Sequence, residues 1–217
     1  GTIPKEQHEF FGIRAGLGQV INKLSAHELQ EEGVLAECNI DVIQMQDTAD
    51  FPNYQSELTY LVTDQKRLNY ISGLIDEMSK NGNTLVLVDR IKCGEKLQEL
   101  LPNATFVKGA MKSADRKDTY TEINESTNMV VIATYGVAAV GINIPRIFNL
   151  VLIEPGKSFV RVIQSIGRGI RKAKDKDHIQ IWDITSSCKF SKRHLTQRKK
   201  FYREAHYPFS VQKVDYI

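Results

Sequence analysis

The stretch VLIEPGKSFVRVIQSIGRGIRK, Val151 to Lys172, holds two phosphate-binding signals that lead to different proteins. Gly156-Lys157-Ser158 has the ending of a P-loop, G-x-x-x-x-G-K-[ST], whose first glycine makes the tight turn that lets backbone N–H groups wrap a phosphate. Here that first position is Val151, inside an apolar run, so too few residues remain to form a cradle. A strand-to-helix turn with Ser158 as N-cap accounts for the triplet better. The second signal is Gln164-Ser165-Ile166-Gly167-Arg168-Gly169-Ile170-Arg171. On a helix starting near Ser158, the apolar Phe159, Val162, Ile163, Ile166 and Ile170 share one face. Gln164, Arg168 and Arg171 fall within roughly 60° of each other on the opposite one. Gly167 and Gly169 each cost about 1 kcal/mol of helix stability relative to alanine, which points to close approach of a neighbouring backbone or ligand. A solvated polar face is the bland alternative, and the convergence of three such side chains beside two glycines argues against it.

Outward from this stretch, short β-branched runs alternate with helical segments. TLVLV (Thr84–Val88), TFV (Thr105–Val107), MVVIA (Met129–Ala133), NLVLI (Asn149–Ile153) and IQIWDI (Ile179–Ile184) are apolar on both alternating faces, as strands covered on both sides must be. Helices are expected over Lys92–Leu101, Ser113–Glu125 and Phe159–Lys172. Such alternation implies a parallel α/β sheet with right-handed crossovers. Before it, Ser25-Ala26-His27-Glu28 reads as a capping box, and the helix it opens ends at Gly33. Cys38–Gln46 alternates like an edge strand, and Leu68, Ile71, Leu74, Ile75 and Met78 form a helical apolar stripe. Three segments result: a lead-in over 1–82 packing beside the core, a sheet domain over 83–185, and a basic helix (roughly Ser191 to His206) with an aromatic tail over 186–217.

Composition narrows the class. The 217 residues are 41% hydrophobic and 25% charged, which suits one globular domain with appendages. No apolar run approaches the about 20 residues of a membrane span, no signal peptide is visible, and no membrane partner is expected. Cys38, Cys93 and Cys188 have no metal-ligand spacing, so no metal is assigned, and three scattered thiols fit a reducing cytoplasm. Net charge is only +3, but Lys189 to Arg203 holds seven basic residues and no acid. That run is either a phosphate-facing surface or a solvated helix face.

Four segments in order resemble motifs of the superfamily-two helicases. TLVLVDR (Thr84–Arg90) resembles motif IV, and VKGAMKSADR (Val107–Arg116) the glycine-and-arginine element after it. ATYGVAAVGINIP (Ala133–Pro145) resembles motif V, and Gln164–Arg171 fits the Q-x-x-G-R-x-x-R of motif VI. The lead-in KLSAHELQEEGVLAE and the tail RKKFYREAHYPFSVQKV are similar to the XPB-like and UvsW-type subgroup, whose phage members are recombination DNA helicases.

The resemblance implies the second RecA-like domain of a two-domain motor: a P-loop NTPase-type parallel sheet without its own P-loop. In such motors ATP with Mg²⁺ is held mainly by the first, N-terminal RecA-like domain, which carries the P-loop and acidic box. Asp76-Glu77-Met78-Ser79 here is only a helix end. Arg168 and Arg171 match arginine fingers, which neutralise charge on the transferring phosphoryl group, and Gln164 helps place the nucleotide or its attacking water. Gly141 and Asn143 line the ribose and phosphate side; many relatives have Asp at the latter, so a role needing a carboxylate is in doubt. DNA, branched or at strand junctions, is the expected partner. Its backbone would meet Arg90, Lys108, Gly109, Thr134, Tyr135 and Gly136 at strand ends, and Arg198, Lys199 and Lys200 on the basic helix. An ordinary helix start explains Thr134 and Gly136 equally well. A non-catalytic RecA-like module that binds nucleic acid or regulates is the alternative, and retention of both arginines favours the motor.

Overall fold

The computed structural model describes residues 37–139, 146–157 and 178–216. The capping box, the Phe159–Lys172 helix, and the expected ATP-facing residues Gly141, Asn143, Gln164, Arg168 and Arg171 lie outside them. Seven strands form one sheet: β1 (Glu37–Met45), β2 (Thr84–Val88), β3 (Thr105–Val107), β4 (Val130–Thr134), β5 (Asn149–Ile153), β6 (His178–Ser186) and β7 (Phe209–Val214). Their order is β3-β4-β2-β5-β6-β1-β7, and every pairing is parallel. Six described helices accompany them: α1 (Tyr54–Thr63), α2 (Gln65–Ser79), α3 (Ile91–Leu100), α4 (Ser113–Glu125), the short α5 (Tyr135–Ala139) and α6 (Lys189–Glu204).

The two-residue period of the strands builds two cores. Leu85 and Leu87 of β2, with Leu150 and Leu152 of β5, face a layer containing Ile123 of α4, Val137 of α5, and Leu195 and Tyr202 of α6. Val86, Val88, Val151 and Ile153 face Leu58 of α1, Leu68, Ile71 and Ile75 of α2, and Leu97 of α3. Each buried aliphatic side chain contributes about 1.5–3 kcal/mol relative to exposure, which explains why β2 and β5 are buried at all five positions. At Gly94 a Cβ would stand 2.4 Å from Cζ of Phe106, so only glycine lets α3 lie against that ring.

Two expectations need correction. Cys38–Gln46 reads as an edge strand, yet β1 pairs with β6 on one side and β7 on the other, inside the sheet and not beside it. Its alternation runs as far as Val42; beyond it both faces are covered, with Cys38, Ile40 and Val42 in one core and Ile43 and Met45 in the other. The aromatic tail is not an appendage but the edge strand β7, exposed at four of its six positions.

Candidate functional site

In a parallel sheet the loops at the carboxyl ends of the strands share one rim, and helices return from it antiparallel to the strands. Arg90 follows β2 and occupies the N-cap position of α3. Its guanidinium donates to Thr59 Oγ1 at 2.7 Å and Gln55 Oε1 at 3.2 Å, with Asp89 at 3.8 Å. Lys108 follows β3, half-exposed, with its ammonium 2.8 Å from Glu95 Oε1. Gly109 is exposed, and a Cβ there would meet Val137 Cγ2 at an ordinary contact distance of 3.9 Å. Thr134 Oγ1 accepts from the Val137 amide at 3.3 Å, which is a helix cap for α5. Tyr135 turns inward, and its hydroxyl donates to the Ile153 carbonyl at 2.9 Å. Burial, reinforced by Asp183, pushes that phenol well above its ordinary pKa. Gly136 is exposed, and a Cβ there would meet Thr134 Oγ1 at an ordinary 3.8 Å.

Arg198 departs from the expectation that the tail's cations face solvent or DNA. Its side chain is 2% exposed, and it donates Nε to Asp183 Oδ2 at 2.8 Å and Nη2 to Asp183 Oδ1 at 2.9 Å. Nη1 donates to the Gly156 carbonyl at 3.1 Å, and Tyr202 donates its hydroxyl to Asp183 at 2.6 Å. The cause is helical periodicity: Ser191, His194, Leu195, Arg198 and Tyr202 form the buried face of α6. Lys199, half-exposed, and Lys200, exposed, do not belong to that face. The structure thus brings Arg90 and Tyr135 together at the rim and leaves Lys199 and Lys200 outside that grouping.

Beneath the rim lies a carboxylate network that the sequence reading missed. Glu57 of α1 caps α6 from a distance, accepting from the amides of Phe190 at 2.9 Å and Ser191 at 2.7 Å. Arg67 of α2 is fully buried; it donates to Asp47 at 3.2 Å, to the Leu61 carbonyl at 2.8 Å and to Glu154 at 3.4 Å. Asp47 also accepts from Ser186 at 2.5 Å and from Tyr216. Glu154 follows directly on β5 in the left-handed region, φ 45°, with Gly156 two residues on at φ 60°. A non-glycine residue there carries strain of about 1–2 kcal/mol, held in place by the buried partners of its carboxyl. Burial raises the Glu154 carboxyl to about 7 against the opposing pull of Arg67 and Arg198. The Ser191 hydroxyl donates toward Glu57 at 2.9 Å and Glu154 at 3.1 Å, and the Thr185 hydroxyl also donates to Glu154, at 3.3 Å. The one available signal was an isolated acid in an apolar strand, Asp183, set against a basic residue on an apolar helix stripe.

Above this floor opens a cleft of about 620 Å³, walled by α1, α6 and the ends of β2 and β5. Burial raises the Tyr54 phenol to about 12, with Asp89 and Glu154 adding to the effect, and burial lowers the His194 pKa, helped by Lys157. The buried carboxylates Asp47, Glu57, Glu154 and Asp183 are already taken up by protein donors, so they do not fit a Mg²⁺ ion. Among the described residues no group of acids, histidines or cysteines could hold a metal.

Residues 66–173 match the helicase conserved C-terminal domain. The ATP-dependent DNA helicase uvsW of Enterobacteria phage T4 is 25% identical over 195 residues, covering 85% of this chain and 39% of that protein. The crystal structure of T4 UvsW superposes with a TM-score of 0.74 at 19% identity, over 84% of this chain and 42% of that one. A fragment assigned as the HsdR subunit of a type I restriction enzyme from Vibrio vulnificus gives 0.71 at 17% identity, over 98% and 43%. These likenesses show the fold, and the chain spans about two fifths of the curated phage relative.

Proposed function

The chain carries a superfamily-two helicase C-terminal domain of the UvsW-like kind, and on that premise we propose that it is the second motor domain of an ATP-dependent DNA helicase or translocase acting on branched or recombination intermediates. The observation that carries this reading is the match over 66–173, which runs from α2 through β5 and takes in Gln164–Arg171. In the proposal Arg168 and Arg171 reach an ATP held with Mg²⁺ by a P-loop-bearing RecA-like partner domain, and Gln164 helps place the nucleotide. Gly141 and Asn143 line the nucleotide's sugar and phosphates. When bound, Mg–ATP supplies the phosphoryl group, and this chain supplies cations where charge develops.

On the other side, Arg90, Lys108 and the exposed backbones of Gly109 and Gly136 hold DNA phosphates without reading sequence. Arg90 suits this because Thr59 and Gln55 hold its guanidinium in place at the rim. Thr134 and Tyr135 act here through the α5 turn they build, since their hydroxyls are already engaged. Lys199 and Lys200 extend the basic surface along α6 and add electrostatic attraction.

The chain by itself is expected to bind forked DNA and to turn over ATP negligibly, measured by anisotropy and steady-state phosphate release. DNA-stimulated turnover by the chain alone would refute the half-motor, and absence of DNA binding would remove the nucleic-acid reading. In a protein that also carries the P-loop domain, Arg168→Ala or Arg171→Ala is expected to lower kcat about 10³-fold while leaving DNA affinity nearly unchanged. Equal losses in both would put the arginines on the DNA path.

A further inference from the structure

The cleft at the rim has a chemistry that the strand-end loops do not explain. Tyr54 of α1 and Phe190 of α6 are half-buried, with ring centroids 6.5 Å apart, and His194 packs edge-on to Tyr54 at 4.7 Å. Two cations flank the Phe190 ring: Lys189 Nζ lies 5.6 Å and Arg193 Cζ 5.8 Å from its centroid. Lys157, on the turn after β5, lines the same cleft. Lys157, Lys189 and Arg193 are exposed, and among the described residues no carboxylate lies in ion-pair range of any of them. Of the acids lining the cleft, Glu154 is turned into the buried network and Asp89 sits beside Arg90. The amides at the start of α6 already serve Glu57, so an anion entering here meets side chains and not a helix terminus.

We propose that this cleft between α1 and α6 is a binding site for single-stranded nucleic acid, taking an unstacked base against Phe190 and Tyr54 and the flanking phosphates on Arg193 and Lys157. The inference rests on the nucleic-acid reading of the domain and deepens it. An aromatic wall beside unpaired cations is the combination that holds single strands, because every base offers a π-face and every linkage a charge. A duplex keeps its bases stacked on each other and cannot offer one to the wall. Arg90 and Tyr135 line the same cleft, so a strand gripped by the β2 and β4 ends continues directly into it.

The test uses the whole 217-residue chain with a fluorescent oligothymidylate and a duplex of matched charge. Phe190→Leu is expected to weaken oligothymidylate binding roughly fivefold or more and to leave duplex binding unchanged. Arg193→Gln is expected to shallow the slope of log K against log salt by about 0.7 for the single strand. Lys80→Ala, at the opposite end of the sheet, is expected to change neither. On the unmodified protein, oligonucleotides carrying 5-iodouracil are expected to photo-crosslink to the peptide holding Phe190 or Tyr54, which needs no variant to fold. Crosslinks confined to other peptides, or an unchanged affinity in Phe190→Leu while Arg90→Ala weakens binding, overturn the cleft and leave the domain reading standing. No binding of either nucleic acid by the unmodified chain overturns both.

Discussion

Replacing Arg198 by methionine removes the guanidinium and keeps much of its stem. In the native chain Arg198 and Asp183 are 3% and 0% exposed, joined by two bonds of 2.8 and 2.9 Å. After the change the carboxylate keeps only the Tyr202 hydroxyl as a side-chain donor, and the Gly156 carbonyl loses the bond from Nη1. Breaking a buried pair from one side costs about 3–5 kcal/mol, because the remaining charge stays out of water without its partner. For a domain of this size each kcal/mol moves Tm by about 2–4 °C, so a loss of about 4 kcal/mol lowers it by roughly 8–16 °C. The double variant Asp183→Leu with Arg198→Met is expected to recover most of the loss, since removing both charges is often near neutral. Circular dichroism melts of the single and double variants, run beside Lys200→Ala, make the comparison. Lys200 has a side chain 78% exposed and is expected to stay within about 0.5 kcal/mol. An Arg198→Met protein that melts like the parent but loses salt-dependent DNA affinity would refute the reasoning and return the guanidinium to the DNA surface.

Three further outcomes follow from the same network and core. Burial holds Glu154 near 7, so between pH 4.5 and 7 the folded chain keeps a proton that the unfolded chain has released. This site's contribution is full below that window and falls by about 3 kcal/mol as pH rises through it; Glu154→Gln should flatten the drop in Tm from pH 5 to 8, and parallel curves for the two proteins contradict it. Glu57→Ala should cost about 1–2 kcal/mol by uncapping α6, with faster hydrogen exchange at Phe190 and Ser191; unchanged exchange there dismisses the cap. Gly94→Ala should lose about 1–3 kcal/mol by driving a methyl into Phe106, and Phe106→Leu in the same chain should restore part of it in urea unfolding. Equal losses from Gly94→Ala with and without Phe106→Leu show that the ring is not the obstacle.

What the sequence alone determined was local and periodic. β-Branched runs such as TLVLV and NLVLI become strands because every position can be buried, and Ser113–Glu125 is found as a helix at the expected bounds. The ordered helicase motifs were legible for the same reason, since glycine and arginine spacing within a few residues survives as written. Strand order was not legible: β1 enters between β6 and β7 because three distant segments meet there, although its own alternation reads as an edge. The fate of individual charges was decided only in three dimensions. Arg198 looked like its neighbours Lys199 and Lys200 until Asp183 arrived beside it. Glu57 caps a helix 134 positions away, and Arg67 meets Glu154 across 87. A charge is buried only where a partner repays its desolvation, and which partner reaches it is a property of the assembled sheet, not of the chain around it.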